Sequence, residues 1–194
     1  MSVSTSSKTM TLAEYLTYDD GTDSRYELVD GVLVAMPPES KLNQRIASLL
    51  LIYFSQQGIP FYRLNIGAEM VTVGSRATTR WPDLLVFTEE LATAFKGATR
   101  GTITLDMPPP QLVVEVVSPG NENRDRDYRY KRSEYAARGI AEYWIVDPHQ
   151  EKVTILELVA GFYEERVFAG DEVLISPTFG QLTFTACKLL QGEM

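Results

Sequence analysis

Two carboxylates lie in segments rich in apolar residues, where an uncompensated charge is least favourable. Asp83 follows Pro82 in the run PDLLVF, and Glu115 stands among the valines of QLVVEVV, 32 positions further along the chain. An ionised side chain in such a strand loses hydration unless a cation, a hydrogen-bond donor or water compensates it. The sequence therefore predicts a partner for these carboxylates.

A divalent cation would be a suitable partner if the two strands are neighbours. Converging carboxylates supply hard oxygen ligands for Mg²⁺ or Mn²⁺, with water completing the shell. Without a cation, one of the two should have a raised pKa. Because side chains alternate along a strand, Val113, Glu115 and Val117 share one face, which must carry the site. Hydrolysis there also needs a group that orients water or stabilises developing charge, and Val117 cannot provide it.

A helix predicted over residues 124–138 offers that group. Tyr128, Lys131 and Tyr135 recur at i, i+3 and i+7, so they form one stripe. A lysine between two aromatic residues is expected to point toward the sheet, and its flexible stem could carry the ammonium to the carboxylates. The alternatives are a lysine at the surface or an i, i+4 pair with Asp127.

Composition limits the classes of protein to consider. The 194 residues carry a net charge of −8, which argues against a nucleic-acid binder that uses its whole surface. The segment RDRDYRYKR at 124–132 nevertheless places Arg or Lys at five of nine positions, either as a binding surface or as a solvated helix face. We find no apolar run long enough for a membrane span or a secretory signal, so we expect a soluble cytoplasmic protein. The single cysteine, Cys187, excludes an internal disulfide and a zinc motif.

The predicted elements alternate between helices and strands. A capping box at Thr11 and Glu14 indicates a short helix after a flexible tail at 1–10, and Asp30-Gly31 indicates a hairpin. Helical periodicity follows over 39–57, and Gly58 is placed to end that helix. We expect the remaining strands at FYRLNI, AEMVTV, PDLLVF, QLVVEVV, EYWIVD, KVTILELV and GFYEERVF, with a loop through GATRGT and PPP. This order predicts a single α/β or α+β domain over 11–194, with a mixed β-sheet flanked by helices.

A set of short motifs then points to a family. The motifs are PD at 82–83, LVVEVVSP at 112–119, RDRD at 124–127, Lys131, Tyr135, Gly139 and EYWIVDP at 142–148. This set resembles the Uma-two family of putative restriction endonucleases, within the PD-(D/E)XK nuclease superfamily. The resemblance runs from about Thr11 to beyond Val159.

The resemblance implies a restriction-endonuclease-like core and Mg²⁺-dependent hydrolysis of phosphodiester bonds, with DNA as substrate. Asp83 matches the aspartate of the PD motif and Glu115 the acidic position, so both would bind Mg²⁺ (or Mn²⁺). The usual motif lysine is replaced by Val117, and Lys131 matches a lysine that the family carries on the next helix. Asn43 stands where many relatives have a histidine. Glu27 also matches a recurrent residue, which we expect on an exposed hairpin in a structural role.

Three functional hypotheses are compatible with these residues. In the first, the protein is a nuclease in which Asp83 and Glu115 hold Mg²⁺ while Lys131 orients water or stabilises the transition state. In the second, it is a catalytically inactive homodimeric module that binds nucleic acid or protein. A glycosidase using Asp83 and Glu115 is the third, but it leaves Lys131 and the basic segment unexplained. Strands after Asp147 could pair between subunits, so we expect a homodimer.

Overall fold

The computed structural model describes residues 9–22, 24–74, 78–98, 100–120 and 125–193. The helices are α1 (Leu12–Leu16), α2 (Lys41–Gln56), α3 (Glu89–Phe95), α4 (Arg132–Arg138) and α5 (Ala186–Leu190). A π-helical segment, Arg126–Lys131, runs directly into α4. None of the helices in these ranges is both long and apolar enough to cross a membrane.

The strands follow the chain from the N-terminal hairpin to a C-terminal one. They are β1 (Tyr26–Val29), β2 (Val32–Ala35), β3 (Leu64–Asn65), β4 (Glu69–Thr72), β5 (Thr78–Arg80), β6 (Leu84–Val86), β7 (Thr102–Ile103), β8 (Leu112–Val116), β9 (Glu142–Asp147), β10 (Lys152–Val159), β11 (Phe162–Ala169), β12 (Val173–Ser176) and β13 (Gly180–Thr185).

The central sheet is mixed, as the sequence predicts. Over the described ranges it has six strands in the order β11-β10-β9-β8-β6-β3, with β8 and β9 parallel and the other pairs antiparallel. A smaller sheet has the order β5-β4-β7, and β1-β2 and β12-β13 are hairpins. The near-continuous apolar runs of β8 and β9 form buried central strands, because both faces of the sheet are covered.

Helices and hairpins cover the two faces of the central sheet with separate apolar layers. On one face, α2 packs Ile46, Leu50 and Phe54 against Val114 and Trp144. The layer on the opposite face contains Tyr135 of α4 and the strand residues Leu85, Val113, Val117, Tyr143 and Ile145. The fold is therefore the mixed α+β arrangement, with a sheet flanked by helices, that the sequence predicts.

Most predicted elements appear where periodicity places them. The capping box of Thr11 and Glu14 begins α1, and Asp30 and Gly31 take positive φ angles of 49° and 81° in the first hairpin. Helix α2 ends just before Gly58, and Gly139, with φ 80°, caps α4. The predicted helix over 124–138 is present from Arg126, whereas Arg124 lies outside the described residues.

Other segments differ from the sequence-based expectations. The predicted loop through GATRGT contains β7, and helix α3 and strand β5 follow no pattern that we identified in the sequence. The first three residues of FYRLNI form a short 3₁₀ helix, Phe61–Arg63, and not part of a strand. Of the predicted tail, residues 1–8 lie outside the described residues, while the Met10 backbone N–H donates to the carbonyl oxygen of Gly31 at 2.7 Å.

The expectation that Glu27 is exposed is wrong. Its side chain is buried, and Oε2 lies 3.0 Å from Nη1 of Arg80. The guanidinium of Arg80 also makes a two-point contact with Glu134 of α4, with N–O distances of 2.8 and 2.7 Å. The hairpin is attached to β5, because the backbone N–H of Leu28 on β1 donates to Oγ1 of Thr79 on β5 at 2.9 Å. Arg80 thus ties β1 to α4 through two carboxylates.

We predict that Arg80→Met destabilises the protein by about 3–5 kcal/mol, because it leaves two carboxylates in a buried region without their cation. Chemical denaturation monitored by circular dichroism measures the loss. The matched control is Arg132→Met on α4, whose partner Glu165 is exposed, and this variant should lose about 0–1 kcal/mol. Equal losses in the two variants would contradict the role of Arg80.

Candidate active site

Asp83 directly precedes β6, and Glu115 lies on the neighbouring strand β8. Strands β6 and β8 run antiparallel and pair Leu84 with Val114, so Asp83 comes level with Glu115. The backbone N–H of Val116 donates to Oδ2 of Asp83 at 2.6 Å, which fixes the start of β6 against β8. This register brings the two carboxylates close together, near enough for the charge of Glu115 to raise the pKa of Asp83.

The face of β8 that carries Glu115 is the one covered by α4. Val113 and Val117 pack in the same layer as Tyr135, whereas Val114 and Val116 pack in the opposite layer with α2. Alternation therefore places Glu115 under α4, as the sequence predicts.

The ammonium of Lys131 completes the centre. Nζ lies 2.7 Å from Oε2 of Glu115 and 3.0 Å from Oδ1 of Asp127, and the lysine side chain is only 3% exposed. The hydroxyl of Tyr135 donates to the other oxygen of Glu115, Oε1, at 2.5 Å. Both oxygens of Glu115 are thus engaged from the helical layer. From the sequence, we considered a pair between Lys131 and Asp127 as an alternative to a lysine that reaches the sheet. The structure contains both contacts.

Burial and mutual repulsion perturb the two strand carboxylates. Burial raises the pKa of Asp83 well above its ordinary value, and the negative charges of Glu115 and Glu39 raise it further. Burial also raises the pKa of Glu115, and the charge of Lys131 offsets this only in part. Both carboxylates therefore have a raised proton affinity, with burial as the main cause, whereas the sequence led us to expect a raised pKa for one of the two.

For Lys131 and Glu27, nearby opposite charges outweigh the effect of burial on the pKa. Burial alone lowers the pKa of Lys131, but the charges of Asp127 and Glu115 outweigh it and hold that pKa above its ordinary value. Burial likewise disfavours ionised Glu27, yet Lys131 and Arg80 lower its pKa overall. Lys131 is therefore an ammonium ion at neutral pH, and it is not a candidate general base.

Asp127, Glu39 and Asn43 also belong to the surroundings of the centre, and of the three only Glu39 was not singled out in the sequence. Asp127 is buried beside Lys131, and Glu39 lies before α2, close enough to Asp83 to raise its pKa. Asn43 on the first turn of α2 donates from Nδ2 to the carbonyl oxygen of Val116 at 3.0 Å. A buried amide at this position holds the strand residue next to Glu115. The i, i+4 spacing of Asp127 and Lys131 was the available signal for the first of these residues.

The donor set is compatible with Mg²⁺ or Mn²⁺. Asp83 keeps one oxygen, Oδ1, that accepts no hydrogen bond from the described part of the chain, and Glu115 adds a second carboxylate beside it. No group of three histidine, cysteine or acidic side chains is arranged for a metal ion within the residues that the structure describes. Two carboxylates nevertheless suffice for Mg²⁺, which commonly retains several waters.

The basic segment is divided between the interior and the surface. Lys131 is buried, and Arg132 donates to Glu165 and to the carbonyl oxygen of Tyr163. Arg129 is exposed, and Arg126 is 30% exposed with Nε 3.5 Å from Asp127. The solvated helix face that we considered therefore describes only part of the segment.

Comparisons with known proteins bear on the fold and on the family of the chain. The chain is similar to a crystal structure, solved at 1.96 Å, of "a putative nuclease belonging to DUF820" from Anabaena variabilis. The two share 18% identity and superpose with a TM-score of 0.69, which covers 94% of this chain and 98% of the other. That likeness shows a common fold. No curated protein matches the sequence significantly.

The sequence pattern of one family, described as "Putative restriction endonuclease", matches residues 12–187. This range includes both strand carboxylates and the helix that carries Lys131. The chain therefore belongs to the Uma-two (Uma2) family of putative restriction endonucleases.

Proposed function

We propose that the protein is a Mg²⁺-dependent endonuclease that hydrolyses phosphodiester bonds of DNA. The observation that carries the proposal is the convergence of Asp83 and Glu115 on one face of the sheet, with the ammonium of Lys131 at 2.7 Å from Glu115. Two carboxylates and one lysine are the groups that such hydrolysis requires, and the family description supports a nuclease.

Each residue has a distinct role in this proposal. Asp83 and Glu115 hold the Mg²⁺ ion, which when bound supplies a Lewis acid for phosphoryl chemistry. Lys131 provides a fixed positive charge that orients the attacking water or stabilises charge developing on the phosphate. Tyr135 and the Val116 N–H keep the two carboxylates in place through hydrogen bonds.

The exposed arginines beside the centre support a polyanionic substrate. Arg126 and Arg129 precede Lys131 on the same helix and present guanidinium groups at or near the surface. Phosphate contacts need such cations, and a chain with a net charge of −8 must concentrate them locally. We therefore infer that DNA approaches along the π-helical segment.

We predict that cleavage of plasmid, linear or single-stranded DNA requires Mg²⁺ or Mn²⁺, and that Asp83→Ala lowers the rate by about 100-fold or more. Gel-based cleavage assays measure the rate, with RNA tested in parallel. Asp171→Asn, an exposed carboxylate on the turn after β11, is the matched control and should cleave normally. Undiminished cleavage by Asp83→Ala would remove Asp83 from the site.

We predict that Asp83→Asn stabilises the metal-free protein at neutral pH. The pKa of Asp83 is raised on folding, so its contribution to stability is complete below the unfolded pKa of about 4 and is lost as pH rises through the folded pKa. The gain should be about 1.4 kcal/mol per unit of raised pKa. Urea denaturation from pH 4 to 8 in the presence of a chelator measures it. A variant that loses stability over that range as steeply as the parent protein would contradict the prediction.

The alternative is a catalytically inactive module that binds nucleic acid or protein through the same helix. Isothermal titration calorimetry separates the two functions. The proposed nuclease binds Mn²⁺, and Asp83→Ala should abolish that binding. DNA binding without any binding of divalent cations at millimolar concentration would favour the module.

We also propose that the protein is a homodimer. Strand β11 is an edge of the central sheet, and Phe162 and Val167 on it are 78% and 48% exposed. A long, partly apolar edge strand is suited to pairing with a second copy. Sedimentation velocity should give the mass of a dimer, and Phe162→Lys should shift the distribution toward monomer; a parent protein that sediments as a monomer would refute the proposal.

A further inference from the structure

The ammonium of Lys131 is shared between two carboxylates from different elements. Glu115 belongs to the central sheet, and Asp127 belongs to the same helical turn as Lys131 itself. Asp127 is buried, with a side chain that is 2% exposed, and its other cationic neighbour, Arg126, is more distant at 3.5 Å and partly exposed. Two buried anions therefore depend mainly on one buried cation.

This arrangement makes the Lys131 ammonium a competitor of a metal ion for Glu115. Oε2 of Glu115 is in contact with the Lys131 ammonium, and Oε1 accepts a hydrogen bond from the hydroxyl of Tyr135. A divalent cation on the same carboxylate would face the ammonium across a few ångströms of a medium of low polarity, where like charges repel strongly. Lys131 must therefore withdraw from Glu115, at least in part, when the cation binds.

Withdrawal is feasible only if the ammonium keeps a partner. A buried lysine without a carboxylate is strongly disfavoured, so it would lose its charge or leave the interior. Oδ1 of Asp127 is already 3.0 Å from Nζ, so the ammonium has a second carboxylate to pair with when its contact with Glu115 lengthens. Asp127 is thus placed to receive the ammonium.

We propose that Asp127 is a positioning residue that retains Lys131 while Glu115 binds the divalent cation. In the empty site Lys131 bridges both carboxylates and competes with the cation for Glu115. In the metal-bound site Glu115 would hold the divalent cation, and Lys131 would stay paired with Asp127 beside the reacting phosphate. This inference rests on the proposed function, in which Asp83 and Glu115 hold the metal ion.

The test is calorimetric titration of Mn²⁺ at pH 8 into four proteins: the parent, Asp127→Asn, Lys131→Met and the double variant. Asp127→Asn should bind Mn²⁺ at least about tenfold more weakly, because the ammonium is then confined to Glu115. Lys131→Met should bind at least about tenfold more tightly, because the competing cation is gone. The double variant should bind within about threefold of Lys131→Met, because Asp127 acts through Lys131. Asp171→Asn is the control and should bind like the parent.

The double variant distinguishes positioning from direct ligation. If Asp127→Asn weakens Mn²⁺ binding as much in the Lys131→Met background as in the parent, Asp127 is itself a ligand and the inference is overturned. Parent-like affinity in Asp127→Asn overturns it as well, while Asp83-dependent binding by the parent leaves the proposed function intact. If none of the proteins binds Mn²⁺, the proposed function fails, and the inference with it.

Because Lys131→Met removes a buried cation and can impair folding, a second variant and a second measurement are included. Lys131→Gln keeps a hydrogen-bond donor near Glu115 and should also bind Mn²⁺ more tightly than the parent. For either variant, the rise in thermal midpoint on addition of Mn²⁺ should exceed that of the parent, since tighter binding to the folded state stabilises it more. A smaller rise in both variants would overturn the competition between Lys131 and the cation.

Discussion

The buried ammonium of Lys131 is the interaction on which the rest of the site depends. It lies between a carboxylate of the sheet and a carboxylate of its own helix, at 2.7 and 3.0 Å. Removing both anions and the cation from water is unfavourable, and close contact recovers that loss only when the geometry is well defined. The helix must therefore sit at one distance and one rotation relative to β8.

Several contacts between residues far apart in the sequence fix the orientation of the helix. Arg80 forms a salt bridge with Glu134, which lies three positions after Lys131. It forms a second one with Glu27 of the N-terminal hairpin. On the other side of the helix, the hydroxyl of Tyr143 on β9 donates to the carbonyl oxygen of Asp127 at 3.0 Å. Helix α4 is thus held by the hairpin through Arg80, and the π-helical segment before it is held by the sheet. Such helical irregularities are frequent at functional sites. The hairpin therefore helps to fix the orientation of α4 through Arg80.

The sequence predicted the parts of this centre that obey local periodicity. Asp83, Glu115 and Lys131 were identified because a charge in an apolar strand or an aromatic stripe breaks a regular pattern. The contacts of Arg80 with Glu27 and Glu134 escaped prediction because these partners are more than 50 positions away, and because β5, with only three residues, is too short to show an alternating pattern. Helix α3 was missed although Thr88 caps it and Glu89 and Glu90 occupy its first turn, since its short length gave little periodicity.

The replacement of the usual motif lysine by Val117 has a physical explanation in the same geometry. Val117 shares the face of Glu115 but packs in the apolar layer with Tyr135. A lysine there would bring a second buried ammonium to a centre in which both oxygens of Glu115 already have donors. With the cation carried by the helix, the strand can remain apolar at position 117, and Asp127 can accompany the lysine on the same element. A lysine on the strand would have no such carboxylate beside it, which is the chemical difference between the two placements.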